Sequence, residues 1–164
     1  MKGKSKLNVL DLSAGFGRDA FILASKGHHV TMLERSTIIV KLLMDGLERA
    51  KHIQALIPII QRLTLIEMDA KTFLSTQPDA LTFDVIYFDP MYPKRTKSAN
   101  VKKEMLALQT IVGQDDDADD VFLLAAEKAK KVVVKRPMPS DWLLRRKPSY
   151  SIEGKNNRFD VYLN

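Results

Sequence analysis

Short apolar runs alternate along this chain with amphipathic stretches, and most of the runs stop on an acid. Runs at 7–12, 28–33, 63–67 and 83–88 are continuous enough in Val, Ile and Leu to predict parallel strands buried on both faces, and 131–135 adds a fifth. Between them, helical spacing predicts helices at 19–26, 37–51, 71–76, 101–112 and 119–130. In the first, Ala20, Phe21, Leu23 and Ala24 form the apolar side. In the second, Ile38, Leu42, Leu43, Leu47 and Ala50 form it, with Ser36 as the N-cap. A short amphipathic piece around Pro58 precedes the third strand. Near the C-terminus, runs at 149–153 and 158–163 flank Gly154-Lys155-Asn156-Asn157 and predict an antiparallel hairpin.

Strands alternating with helices predict a parallel α/β sheet whose ligands gather at the carboxyl ends of the strands. The turn Ser13-Ala14-Gly15-Phe16-Gly17-Arg18-Asp19 joins the first strand to the first helix. Gly15 and Gly17 leave room for a ligand against the backbone, and the first N–H groups of the helix give it a polar cradle. The dinucleotide fingerprint would place a third glycine where Ala20 stands, so two glycines alone fit a plain packing turn equally well. Asp11 shifts the balance. A carboxylate at that strand end suits the cationic, amine-bearing end of S-adenosylmethionine and would repel a pyrophosphate.

Glu34 ends the second strand at about the 20-residue spacing at which an acid holds both hydroxyls of an adenosine ribose, a solvated strand-end carboxylate being the alternative. Asp69 is placed to cap the following helix and to accept from an adenine amine, while the Ala70 N–H can donate to a ring nitrogen. His28 and His29 are neighbours on a strand, face opposite sides and read as structural. The fourth strand stops at Asp89 because Pro90 cannot continue a central ladder. Its carboxylate and the carbonyl beside it therefore project at the same sheet edge as Asp11, Glu34 and Asp69, with Tyr92 close behind.

Composition narrows the class. With 164 residues, 45% hydrophobic and 28% charged, the chain is expected to form a single domain over residues 1–164. The absence of Cys excludes disulfides and thiolate metal sites, and three scattered His offer no ligand spacing. No run is long enough to span a bilayer as a helix and no signal-peptide pattern follows Met1, so a soluble cytoplasmic protein without metal or membrane partner is expected. A net charge of +6 favours a polyanionic partner.

Asp89-Pro90-Met91-Tyr92 resembles the D/N-P-P-Y/F motif of class I S-adenosylmethionine-dependent methyltransferases that modify exocyclic amines on nucleobases; Met91 departs from it. With Ala14 to Phe21, Met32-Leu33-Glu34-Arg35, Lys97-Ser98-Ala99, Val101 to Met105 and Val132 to Pro137, the chain is similar to the RsmJ-type small-subunit ribosomal RNA guanine-N2 methyltransferases. The resemblance implies a Rossmann-like class I fold, a seven-stranded, mostly parallel sheet with helices on both faces and an antiparallel C-terminal hairpin. It also implies Arg18, Asp19, Glu34, Arg35, Asp69, Ala70 and Asp89 as cofactor contacts beside Asp11, Gly15 and Gly17. Asp89 and Pro90 would accept from the target amine, and Tyr92 would stack on the base. The family has an N-terminal segment ahead of the core, which this chain is expected to lack, since its first strand begins about six residues after Met1.

Lys94, Arg95, Lys97, Lys102 and Lys103 follow the motif and are candidates for RNA phosphates, as are Lys135 and Arg136 at the end of the fifth strand. Salt-bridged strand-end residues are the alternative for the last two. The acidic run 115–120 would repel RNA, so it is expected away from the substrate, as the N-terminus of the helix at 119–130. A methyltransferase for another amine, such as adenine N6 or a protein glutamine, and a non-catalytic nucleotide- or RNA-binding module both remain compatible with these residues.

Overall fold

The computed structural model describes residues 5–77, 82–90 and 117–164. The predicted helix 101–112, Tyr92, Lys94, Arg95, Lys97, Lys102 and Lys103 lie outside them. The strands are β1 (Asn8–Asp11), β2 (His29–Glu34), β3 (Leu63–Glu67), β4 (Val85–Phe88), β5 (Lys131–Pro137), β6 (Tyr150–Glu153) and β7 (Asn157–Leu163). They form one sheet in the order β3-β2-β1-β4-β5-β7-β6. The first five are parallel, while β7 runs antiparallel to both β5 and β6. This is the expected mostly parallel sheet with its C-terminal hairpin.

The helices are α1 (Arg18–Ser25), α2 (Thr37–Ala50), α3 (Ile57–Ile60), α4 (Ala70–Thr76) and α5 (Ala118–Lys128). Alternation of side chains along each strand splits the core into two layers. On one face Val9, Val30, Met32 and Tyr87 pack with Ala20 and Ala24 of α1 and with Leu43 and Leu47 of α2. On the other, Leu10, Leu33, Ile86, Val132 and Val134 pack with Phe73 and Leu74 of α4 and with Val121, Phe122 and Ala125 of α5. The Phe122 and Tyr162 rings meet edge to face at 4.8 Å, an arrangement that adds about 0.5–1.5 kcal/mol beyond burial.

Two local expectations change. In α2 the buried residues are Ile39 and Val40, whereas Ile38 and Leu42 are exposed. The segment Thr37-Ile38-Ile39-Val40-Lys41-Leu42-Leu43 is apolar around most of the helix, so spacing alone does not fix which side meets the sheet. Helix α5 ends at Lys128 because Ala129 is already extended (φ −124°, ψ 143°) and leads into β5. Among the described residues, no helix is long and apolar enough to cross a membrane.

Candidate active site

The carboxyl ends of β1, β2 and β4 and the loop after β3 surround a cleft of about 580 Å³, open to solvent. Its lining includes Ser13, Gly15, Glu34, Arg35, Met68, Asp69, Ala70, Phe88, Asp89 and Asp117. The sequence-predicted residues Gly15, Glu34, Arg35, Asp69, Ala70 and Asp89 are thus brought together. Asp11, Gly17, Arg18 and Asp19 do not line this cleft.

The turn after β1 is shaped by two left-handed glycines, Gly15 (φ 51°) and Gly17 (φ 68°). Gly15 borders the cleft, and nothing lies within 4 Å of where a Cβ would stand, so a ligand can approach its backbone. Gly17 opens α1 and packs against Leu43. Glu34 is 6% exposed and spans the turn: Gly15 N–H donates to Oε2 at 3.0 Å and Ser36 N–H to Oε1 at 2.8 Å. Ser36 sits at the N-cap of α2 as predicted, yet makes no side-chain capping bond. Asp69 does cap: Thr72 N–H donates to its Oδ1 at 2.9 Å.

A cluster of charge adjoins the cleft at Asp89. Asp11 pairs with Tyr87 across β1 and β4, and Tyr87 with Val133 across β4 and β5, so the same face carries Asp11, Tyr87 and, two residues on, Asp89 and Lys135. Asp19 descends onto them from α1. Its Oδ2 accepts from the Tyr87 hydroxyl at 2.6 Å and from Lys135 Nζ at 2.7 Å. Lys135 Nζ also lies 2.8 Å from Asp89 Oδ2. Asp89 N–H donates to Ser13 Oγ, and Ser13 N–H donates to Asp11 Oδ1.

Asp11 is 1% exposed. Burial pushes its carboxyl from the ordinary 3.8 up to about 7; the Ser13 N–H opposes this, the Asp19 and Asp89 charges add to it, and Lys135 offsets part. Tyr87 is likewise raised, by burial first and by the acids around it. Burial pulls the Lys135 ammonium down, but Asp89 and Asp19 outweigh it and keep its pKa above the ordinary value.

Three expectations differ here. Asp11 was expected at the ligand; it is buried near Asp19 and Asp89 and outside the cleft lining. Lys135 and Arg136 were expected at phosphates. Lys135 bridges Asp19 and Asp89, while Arg136, 6% exposed, donates to the Asp141 carbonyl and Ser140 Oγ and holds the loop after β5. Lys135 follows the alternative of a salt-bridged strand-end residue. The acidic run was expected away from the site, yet Asp117 borders the cleft and pairs with Arg35 at 3.4 Å. The packing explains this, because α5 lies on the sheet face beside α4 and its N-terminal end, at Asp117, reaches the cleft. A cation directly after Glu34 was the sequence signal for a nearby acid.

The whole chain, residues 1–164, matches the family described as "Putative SAM-dependent methyltransferase". The chain belongs to this family. Within it, the chain is 51% identical over 164 residues to the ribosomal RNA small subunit methyltransferase J of Coxiella burnetii (strain Dugway 5J108-111), covering 99% of this chain and 63% of that relative. It is 49% identical to the protein of that name from Pseudoalteromonas atlantica, covering 99% of this chain and 65% of the relative. The chain therefore spans less than two thirds of these relatives' length. A crystal structure of a SAM-dependent methyltransferase from Neisseria gonorrhoeae superposes with a TM-score of 0.74 at 34% identity, over 96% of this chain and 61% of that one. The glycopeptide N-methyltransferase MtfA, solved in complex with S-adenosylmethionine, shares the fold at 18% identity and a TM-score of 0.55, over 99% of this chain and 61% of that one. The 34%-identical methyltransferase structure shares the fold of this chain.

Proposed function

We propose that this protein transfers a methyl group from S-adenosylmethionine to the exocyclic N2 amine of a guanine in small-subunit ribosomal RNA. The observation that carries this reading is Asp89, which closes β4 and borders the same cleft as Gly15, Glu34 and Asp69. The names of two similar relatives support small-subunit ribosomal RNA as the substrate. The cleft suits the cofactor: open space at Gly15, carboxylates at Glu34 and Asp69 for hydroxyl and amine donors, and acids in excess of Lys135 beside the wall for a cation. When bound, S-adenosylmethionine supplies an electrophilic methyl group on a sulfonium.

The chain's own work is positioning. Glu34 would hold the ribose hydroxyls, Asp69 and the Ala70 N–H the adenine, and Arg35 the same rim, while Asp11, Arg18 and Asp19 set the charge and shape of the turn behind it. A purine amine is a weak nucleophile because its lone pair is delocalised into the ring. Asp89 and the Pro90 carbonyl accept hydrogen bonds from its two N–H groups, favour a pyramidal nitrogen and stabilise the positive charge that develops there. Tyr92 stacks on the base, and Lys94, Arg95, Lys97, Lys102 and Lys103 contact flanking phosphates. The reaction assigns the protein to the cytoplasm, with the small ribosomal subunit or its RNA as partner.

Methyl-labelled S-adenosylmethionine, incubated with the protein and with small subunits or their RNA, tests this reading after digestion to nucleosides. Label in N2-methylguanosine is the expected result. Label in N6-methyladenosine or in protein would move the activity to another amine, and cofactor binding without transfer would leave a binding module.

A further inference from the structure

Lys135 has no part in the methyl transfer as proposed, yet it stands at the centre of the charge cluster. Its Nζ contacts Asp19 Oδ2 at 2.7 Å and Asp89 Oδ2 at 2.8 Å, and its side chain is 20% exposed. Asp19 belongs to the first turn of α1 and Asp89 to the exit of β4, so one ammonium ties the glycine turn to the amine-accepting loop. The sheet register favours this contact. Phe88 pairs with Val134, which sets Asp89 opposite Lys135 in the next step of the two strands.

The groups around this ammonium are Asp11 from β1, Asp19 from α1 and Asp89, with the Tyr87 hydroxyl of β4 bonded to Asp19. The Asp19 and Asp89 carboxylates repel each other wherever the cation is removed, and Asp11 adds to this once it ionises. Asp89 is the most exposed of them, with 36% of its side chain accessible, and has the most room to swing away. An acceptor that must meet a purine amine loses its function when it swings, because productive geometry tolerates little displacement.

We infer that Lys135 is a positioning residue for methyl transfer, fixing the Asp89 carboxylate in the cleft wall by bridging it to Asp19. This rests on the proposed amine methylation. It replaces the expectation that Lys135 meets an RNA phosphate, since two of its three ammonium donors already point at carboxylates.

The test compares wild type with Lys135→Met, Lys135→Arg, Asp89→Asn and the Asp89→Asn/Lys135→Met double variant. Circular dichroism checks folding, calorimetry reads S-adenosylmethionine affinity, and single-turnover transfer is followed at saturating cofactor and RNA. Lys135→Met is expected to keep cofactor binding and lose about 100-fold in rate, the scale of a catalytic group displaced by an ångström. Lys135→Arg should recover part of that rate by restoring the cation. The double variant should be no slower than Asp89→Asn alone, because Lys135 acts through Asp89.

An unchanged rate in Lys135→Met would overturn the inference. So would a loss that disappears at saturating RNA, the mark of a phosphate contact, or a loss that adds to that of Asp89→Asn. The side-chain ammonium resonance of Lys135 separates this outcome from failure of the methylation itself. Asp89→Asn should shift that resonance whether or not the wild type transfers methyl, and an unmoved resonance would show that the bridge does not exist. This readout also decides the matter if Lys135→Met does not fold.

Discussion

Glu34 holds Gly15 in place: the Gly15 N–H donates to Oε2 at 3.0 Å, while the other carboxylate oxygen takes the Ser36 N–H. The acid at the end of β2 therefore builds the turn that shapes the cleft it also lines. Replacing it with Gln leaves one acceptor and turns an amide NH2, itself a donor, toward a backbone N–H. Glu34→Gln is expected to lose about 1–3 kcal/mol in urea unfolding, the cost of a buried donor left without its partner, and to bind S-adenosylmethionine more weakly by calorimetry. Unchanged stability would show that the turn stands without Glu34.

Asp11 makes stability depend on pH in a set direction. Its carboxyl is raised from 3.8 to about 7 by burial, so between those values the native state holds a proton that the unfolded state has released. Its contribution is complete below the lower value, falls as pH rises through the interval, and remains lost above about 7. Asp11→Asn should remove this slope, gaining on wild type by at most about 4 kcal/mol between acid and mildly alkaline pH, since each tenfold change in proton affinity is worth about 1.4 kcal/mol. Urea unfolding across that range reads the difference. A constant offset would contradict the buried acid.

The two glycines of the turn should separate. Both have positive φ, so alanine at either position is expected to cost about 1–2 kcal/mol in stability. At Gly17 the added Cβ would stand 3.0 Å from Leu43 Cδ1, pressing on the contact between α1 and α2. At Gly15 it would meet open space at the edge of the cleft. Gly15→Ala should therefore show the larger loss of cofactor affinity and Gly17→Ala the larger loss of stability.

Asp69 combines a cap with a place in the cleft lining, and the two roles can be pulled apart. Asp69→Ala removes the bond from the Thr72 N–H and should destabilise by about 0.5–2 kcal/mol. Asp69→Ser keeps a capping oxygen but loses the carboxylate. It should recover stability without recovering S-adenosylmethionine affinity, and equal recovery of both would confine Asp69 to capping.

Local signals were legible in the sequence wherever one residue type decides the conformation. β3 occupies Leu63–Glu67 as its apolar run predicts, Asp69 caps α4, and the turn after Glu153 returns the chain antiparallel. Glu34, Asp69 and Asp89 at the strand ends marked the cleft, though Asp11 did not, because parallel strands deliver their carboxyl ends to one edge. Pairings between distant elements were not legible. Asp19, Tyr87, Asp89 and Lys135 meet because β4 lies between β1 and β5, in a register that single strands do not specify. Asp117 reaches Arg35 because α5 packs beside α4. In α2, too many apolar residues hid the buried side.

The most direct measurement of the central claim sets Asp89→Ala beside wild type, with S-adenosylmethionine affinity measured by calorimetry and single-turnover methylation of small-subunit RNA followed in parallel. An acceptor for the target amine should lose about 100-fold or more in the transfer step while cofactor affinity changes far less. Transfer that survives the substitution, or a loss carried wholly by cofactor binding, would contradict Asp89 as the residue that receives the amine.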